Sequence, residues 1–146
     1  RSRRIVFLGL YIILALLLIA IGWIVYEGYI KPQQEKASIK VVWEVKNPKI
    51  STEDREKISS AMKEKLVLIE EDGKKYFANR TLTIKGFYGQ NGWLGLGVQL
   101  DNKPSPISVL AHYQNNTWQV WIPSNDDYCM QILKSPLEDL KDLFCR

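Results

Sequence analysis

Few residues in this chain have the type and spacing to do chemistry. Its single histidine, His112, stands in a run of alternating apolar residues, and its two cysteines, Cys129 and Cys145, lie near the C-terminus. A Cys–His nucleophile pair would need one of those thiols against His112 and an orienting group such as Asn125. A lone histidine in a strand is far more often a half-buried packing residue, and that is the expectation here. Asn125-Asp126-Asp127 offers oxygen ligands, but three adjacent residues lack the alternating spacing of a calcium loop, so a solvated loop before Tyr128 is expected. The glycines of Gly92-Trp93-Leu94-Gly95-Leu96-Gly97 are no nucleotide fingerprint, because they lie within a strand pattern and open no helix. Neither CxxC nor HExxH occurs. No catalytic residue, metal site or cofactor is therefore expected. Asn79-Arg80-Thr81 and Asn115-Asn116-Thr117 are formal glycosylation sequons, triplets that are common by chance.

The cysteines carry a structural expectation instead. In a domain outside the cytoplasm, Cys129 and Cys145 are candidates for one disulfide, and closing that loop would stabilise the fold by roughly 3 kcal/mol in the chain-entropy picture. Two free buried thiols are the alternative.

What must position these residues begins with an uncharged run, Ile5 to Val25. As a helix it is about 32 Å long, enough to cross a hydrocarbon core of ~30 Å, and a helix satisfies every backbone polar group in lipid. Arg1, Arg3 and Arg4 precede it, so the positive-inside rule places the N-terminus in the cytoplasm, although Lys31, Lys36 and Lys40 oppose that bias. A cleavable signal peptide is the rival reading. The run is longer than the usual apolar core of a leader, and no small-x-small cleavage site follows it. The chain begins with Arg rather than Met, so residues missing upstream, or removed there, are expected. Trp23, Tyr26 and Tyr29 suit the headgroup layer. Gly9, Ala15, Ala20 and Gly22 contain no GxxxG pair, so self-association through the span is not signalled. Three of the 20 basic residues precede the span, and Glu27, one of the 16 acidic ones, follows it. The rest of the chain is close to neutral, and a nucleic-acid partner is not expected.

The organisation expected is a cytoplasmic flank at 1–4, a transmembrane helix at 5–27, a polar linker at 28–37 in which Pro32 stops the helix, and an extracytoplasmic domain at 38–146. In that domain Ile39, Val41, Trp43 and Val45 alternate as in a half-buried strand, and Asn47-Pro48 breaks it. Ser51, with Asp54 three residues on, caps a helix to about Leu66 that puts Ile58, Ala61, Met62 and Leu66 on one face. Asp72-Gly73 centres a hairpin; helix to Ile69 followed by a loop is the alternative. Leu82 to Tyr88, Trp93 to Leu100, Ile107 to Tyr113 and Thr117 to Ile122 are four strands of an antiparallel meander. They are separated by Gly89–Gly92, Asp101–Ser105 and Asn115-Asn116. The fold class is thus α+β: a transmembrane helix, an antiparallel sheet packed on one main helix, and a short C-terminal helix.

The Asn115-Asn116 turn pairs Tyr113 with Trp118, Ala111 with Val120 and Val109 with Ile122 on one face, and it sets Leu110 opposite Trp121 and His112 opposite Gln119 on the other. If Leu100 pairs with Ile107, Gly97 falls beside Leu110 and Gly95 beside His112. Trp93, Leu110 and Trp121 then stand around a floor made by two glycines, which often mark close approach by another group. Trp93, Gly95, Gly97, Leu110, His112 and Trp121 form the candidate interface. Two covers are open. One is the C-terminal helix, opened by a capping box at Ser135-Pro136-Leu137-Glu138 and carrying Leu137, Leu140 and Phe144 on one side. The other is a partner protein.

The order strand, helix, several strands, with Gly92-Trp93 opening one and Trp118-Gln119-Val120 closing the set, resembles the cystatin-like and NTF2-like domains of small bacterial membrane-anchored proteins and lipoproteins over residues 38–123. The resemblance implies a curved sheet around a helix, used as a binding or assembly module; some NTF2-like relatives are enzymes. An enzyme of that kind needs polar residues inside the sheet cup, whereas the inward set expected here is Leu94, Leu96, Val98, Val109, Ala111 and Val120. The function expected is a single-pass accessory or assembly subunit. It would sit in the cell membrane and contact the bilayer and other integral membrane proteins. A membrane-tethered ligand-binding or sensory domain is the alternative.

Overall fold

In the computed structural model, residues 2–45, 49–101 and 107–145 are described, with residues 2–5 and 142–144 by backbone only. The break expected at Asn47-Pro48 and most of the Asp101–Ser105 turn lie outside these residues. Two compact units result, Arg1–Glu35 and Lys36–Arg146.

The first unit is built on α1 (Ser2–Val25). One helix, Val6–Ser38, is long and apolar enough to cross a membrane; its most apolar window has mean hydropathy 2.8 and no buried share. Pro32 does not stop it. A π-helical turn over Tyr26–Ile30 passes into α2 (Lys31–Ser38), so the expected linker is helical. Proline has no N–H to donate and, in a regular helix, collides with the carbonyl four residues back. The wider turn just ahead of Pro32, closed by the Lys31 N–H on the Tyr26 carbonyl, relieves both problems. Glu27 and Lys31 form an ion pair at 3.2 Å along this turn.

The second unit is a curled sheet of five strands, β1 (Lys40–Trp43), β4 (Thr81–Gln90), β5 (Trp93–Leu100), β6 (Ile107–Gln114) and β7 (Thr117–Trp121), in that spatial order. Between β1 and β4 the chain forms α3 (Thr52–Leu66) and a small hairpin, β2 (Glu70–Glu71) with β3 (Lys74–Lys75). The helix lies on one face of the sheet, so the chain returns to the sheet in its original direction and β1 pairs parallel to β4. The expected antiparallel meander is present from β4 to β7, and β1 joins it in parallel. Helix α3 starts as expected, with the Ser51 Oγ accepting from the Asp54 N–H at 3.0 Å.

Three hairpins are closed by two-residue turns, each with both central residues at positive φ: Asp72-Gly73, Asn91-Gly92 and Asn115-Asn116. Such turns match the right-handed twist of their strands, and asparagine, aspartate and glycine tolerate the geometry. The turn expected at Gly89–Gly92 is tighter than that, because β4 continues through Gln90. The expected hairpin at Asp72-Gly73 is present, although its strands are only two residues each.

The inner face holds the main core. Ile58, Met62 and Leu66 of α3 meet Leu82 and Ile84 of β4, the inward set of β5, β6 and β7 named above, and Ile122. Ala61 is only half-buried. Burying a large aliphatic side chain contributes roughly 1.5–3 kcal/mol, so this contiguous layer is the main source of stability. Two indoles fix the helix to the sheet edges. Trp43 of β1 donates to Ser59 Oγ at 2.9 Å, and Trp118 of β7 donates to Asp54 Oδ1 at 2.9 Å.

Candidate functional site

The outer face of the sheet carries the residues singled out as an interface. The β6–β7 register is the expected one from Gln114–Thr117 to Leu110–Trp121. It ends one pair short of Val109–Ile122, where Ile122 gives its N–H to Asn125 Oδ1 and the chain turns away. The β5–β6 register differs from expectation by two residues. Trp93 faces His112, Gly95 faces Leu110 and Gly97 faces Ser108. The far end of β5 is held by β4: Leu100 pairs with Leu82, and Asp101 Oδ1 accepts from the Thr81 N–H at 3.0 Å. A shift by two keeps every side chain on its face, so the composition of the outer face stands while its neighbours change.

Trp93 and His112 consequently stack, ring centroids 3.8 Å apart and 8° from parallel, with Trp121 beyond at 6.2 Å from Trp93. Burial pushes the His112 imidazole below its usual value, toward the neutral form. Trp121 donates to Asp127 Oδ2 at 3.0 Å, and the Tyr128 hydroxyl donates to the Ser108 carbonyl at 3.0 Å. Burial pushes the Tyr128 phenol up. The Asn125-Asp126-Asp127 stretch is thus no mere solvated loop. Asn125 closes a turn on Ile122, and Asp127 holds an indole. The capacity of Asn and Asp to cap nearby donors was the signal available for this in the sequence.

Gly95 is not an open floor. A Cβ built there would stand 2.8 Å from Leu140 Cδ1 and 3.6 Å from Leu137 Cδ1. Those leucines come from the C-terminal segment, α4 (Tyr128–Lys134) and α5 (Glu138–Phe144), which lies across this face. Leu110, Tyr128, Ile132 and Leu137 are buried in a second cluster, Trp121 is 8% exposed, and Trp93, Leu140, Cys129 and Cys145 pack around it. Gly95, Leu110 and Trp121 of the candidate interface are therefore covered by the chain itself, with Cys129 joined to Cys145. Of the two expected covers, the internal one is present.

The expected capping box does not form. Ser135 Oγ donates to the Ile132 carbonyl at 2.7 Å and accepts from the Leu137 N–H at 3.3 Å, so it serves the end of α4. Helix α5 starts two residues beyond Pro136 with no side-chain cap. Phe144 lies among the residues described by backbone only.

Gly97 sits at the uncovered end. A Cβ there would lie 3.5 Å from the Gly86 backbone, and Gly86 is the residue opposite it on β4. This glycine pair forms the floor of a groove of about 270 Å³ flanked by Tyr88, Ile107, Ser108 and Leu140. Gly86 has no cue in the sequence, because a bulge between Ile84 and Gly86 shifts β4 against β5.

On the opposite side a larger cavity of about 600 Å³ opens between the α3 end, the β2–β3 hairpin and the ends of β6 and β7. Its apolar walls include Leu66, Ile69, Tyr76, Phe77, Ile107 and Ile122. Arg80 stacks over Tyr76 at 4.3 Å, and Tyr76 meets Phe77 edge-on at 4.8 Å, which holds that wall in place. Among the described residues no group of three or more His, Cys, Asp and Glu side chains could hold a metal ion. His112 lies on the outer face, stacked on Trp93, and the cysteines are joined to each other. No known protein family, curated protein or solved structure matches the chain.

Proposed function

We propose that this chain is a single-pass membrane-anchored accessory subunit whose α+β unit lies outside the cytoplasm and binds protein in a larger membrane complex. The observation that carries the reading is the apolar helix, which has no buried share in a chain whose other unit is compact by itself. A bare apolar helix of that length demands lipid or other helices around it. The Cys129–Cys145 bridge supports an oxidising compartment for the second unit. The resemblance to cystatin-like and NTF2-like domains supports a binding role. Purified from its own membrane in mild detergent, the chain is expected to migrate with stoichiometric membrane partners. Migration as a lone monomer would overturn the assembly reading. Trp121 is unsuited to mapping the contact because it is buried; Tyr88, half exposed beside the open groove, is the residue to change.

A tethered ligand-binding domain is a second reading, and the apolar cavity beneath Tyr76 and Phe77 favours it, since its volume falls within the ~300–1,000 Å³ range of small-molecule sites. Displacement of an apolar fluorescent probe from wild type, and loss of probe binding in Ile69→Trp, would support it. Equal probe binding by both would remove it.

A further inference from the structure

We infer that the Cys129–Cys145 bridge is the latch of a cover, and that reducing it lifts α5 from the glycine floor and uncovers the aromatic strip behind it. The two parts of the C-terminal segment are held very differently. Helix α4 is fixed from below, with Ile132 fully buried and the Tyr128 hydroxyl bonded to the Ser108 carbonyl. Helix α5 has seven residues and no side-chain cap. A helix that short does not persist unless something outside it holds it. Among the described side chains its holds are few. At its start, Leu137 is fully buried; within it, Leu140 reaches the space left by the missing side chain of Gly95; beyond its end, Cys145 is tied back to α4. The Lys141–Glu138 pair at 2.9 Å joins residues of α5 to each other and anchors nothing beneath. Both cysteines are half-buried at the margin of the cluster, within reach of a thiol reagent.

Opening the latch is a two-electron step. A dithiol reductant breaks the S–S bond, delivers two electrons and two protons, leaves Cys129 and Cys145 as thiols, and closes into its own disulfide. With Cys145 free, the covalent hold at the far end of α5 is gone, and among the described residues Leu140, with Leu137 at the start of the helix, is what still meets the floor. Departure of Leu140 joins the Gly86–Gly97 groove to the floor at Gly95 and, beyond it, to Trp93 and Trp121. The result is one apolar strip on the outer face that is closed in the oxidised chain and open in the reduced one. This inference goes beyond the anchoring proposal and stands without it.

The test uses the full chain in detergent, oxidised and after dithiothreitol, with a diffusible radical probe that labels exposed indoles. Trp43 and Trp118, clamped on the inner face, serve as internal references. Labelling of Trp93 and Trp121 is expected to rise at least ~3-fold on reduction while that of Trp43 and Trp118 is unchanged, and to fall back on reoxidation. Cys145→Ser should give the open pattern without reductant; should that variant not fold, the titration of wild type decides alone. Unchanged labelling at Trp93 and Trp121 would overturn the inference, because the cover then stays without its latch. A parallel rise at all four indoles would overturn it as well, because the bridge would then hold the whole fold rather than one segment.

Discussion

The two faces of the sheet are covered in opposite ways. The inner face is closed by α3, a 15-residue helix with a side-chain N-cap and a stripe of fully buried Ile58 and Met62. The outer face is closed by two seven-residue helices without side-chain N-caps, joined at their far ends by a covalent bond. Each cover uses an indole bonded to an aspartate: Trp118 to Asp54 inside, Trp121 to Asp127 outside. The difference teaches that the same local devices give a permanent layer where a long amphipathic helix backs them. Where the backing is short, they give a layer that depends on a cross-link.

That contrast can be broken most severely from the inside. Met62→Ala empties a fully buried position under α3 and is expected to lower stability by about 2–5 kcal/mol in urea unfolding. Leu140→Ala, on the half-buried outer cover, should cost well under half as much. Equal losses would erase the distinction between the faces. Next in size is the cross-link, whose removal in Cys129→Ser/Cys145→Ser should cost up to ~3 kcal/mol, since it closes a loop with a sequence separation of 16. A glycine pair sharpens the comparison within one face. Gly95→Val has to displace Leu140 Cδ1, which already stands 2.8 Å from the new Cβ, and is expected to cost ~1–3 kcal/mol. Gly97→Ala meets only ordinary contact with Gly86 at 3.5 Å and should change stability by under ~0.5 kcal/mol.

The remaining effects depend on pH. The Trp118 hydrogen bond, with that of Ser51, holds the Asp54 carboxyl below its ordinary value of 3.8. The stabilisation is therefore full above that value and is lost as pH falls through the lower, folded-state one. Trp118→Phe should remove about 1 kcal/mol at neutral pH and flatten this acid limb of the stability profile. On the outer face burial lowers the His112 value from 6.5, so stability present above that pH should decline as pH falls through the folded value. His112→Gln should abolish that decline and leave the Asp54 limb untouched.

Much of the inner half was legible in the sequence because several signals coincide there. Ser51 with Asp54, the spacing of Ile58, Met62 and Leu66, and the alternation of β5 to β7 all specify the same helix-on-sheet layer, and the inward set is buried as expected. The Asn115-Asn116 turn specified its register because a two-residue primed turn leaves no freedom. Less was legible where distant contacts decide. The β5–β6 register could not be read from Leu100 and Ile107, since a long connection imposes no register and Ile107 pairs with Val98. Nor does the parallel pairing of β1 with β4 leave a local mark. Pro32 misleads for another reason: a widened turn placed just before a proline keeps the helix going, and propensity alone does not foresee it. The outer cover was half legible, with Leu137 and Leu140 correctly placed over the glycine face but Ser135 committed to the wrong helix.

The claim on which the proposed function depends is that the α+β unit is held on the outside of a membrane by the N-terminal helix. The most direct measurement is alkylation of Cys129 and Cys145 in right-side-out membrane vesicles, using a reductant and a maleimide that both fail to cross lipid. The account predicts that the membrane-bound chain, retained after an alkaline wash, takes up the maleimide in sealed vesicles as fully as after detergent. Labelling that appears only once the vesicles are broken, or a chain released by the wash, would contradict it.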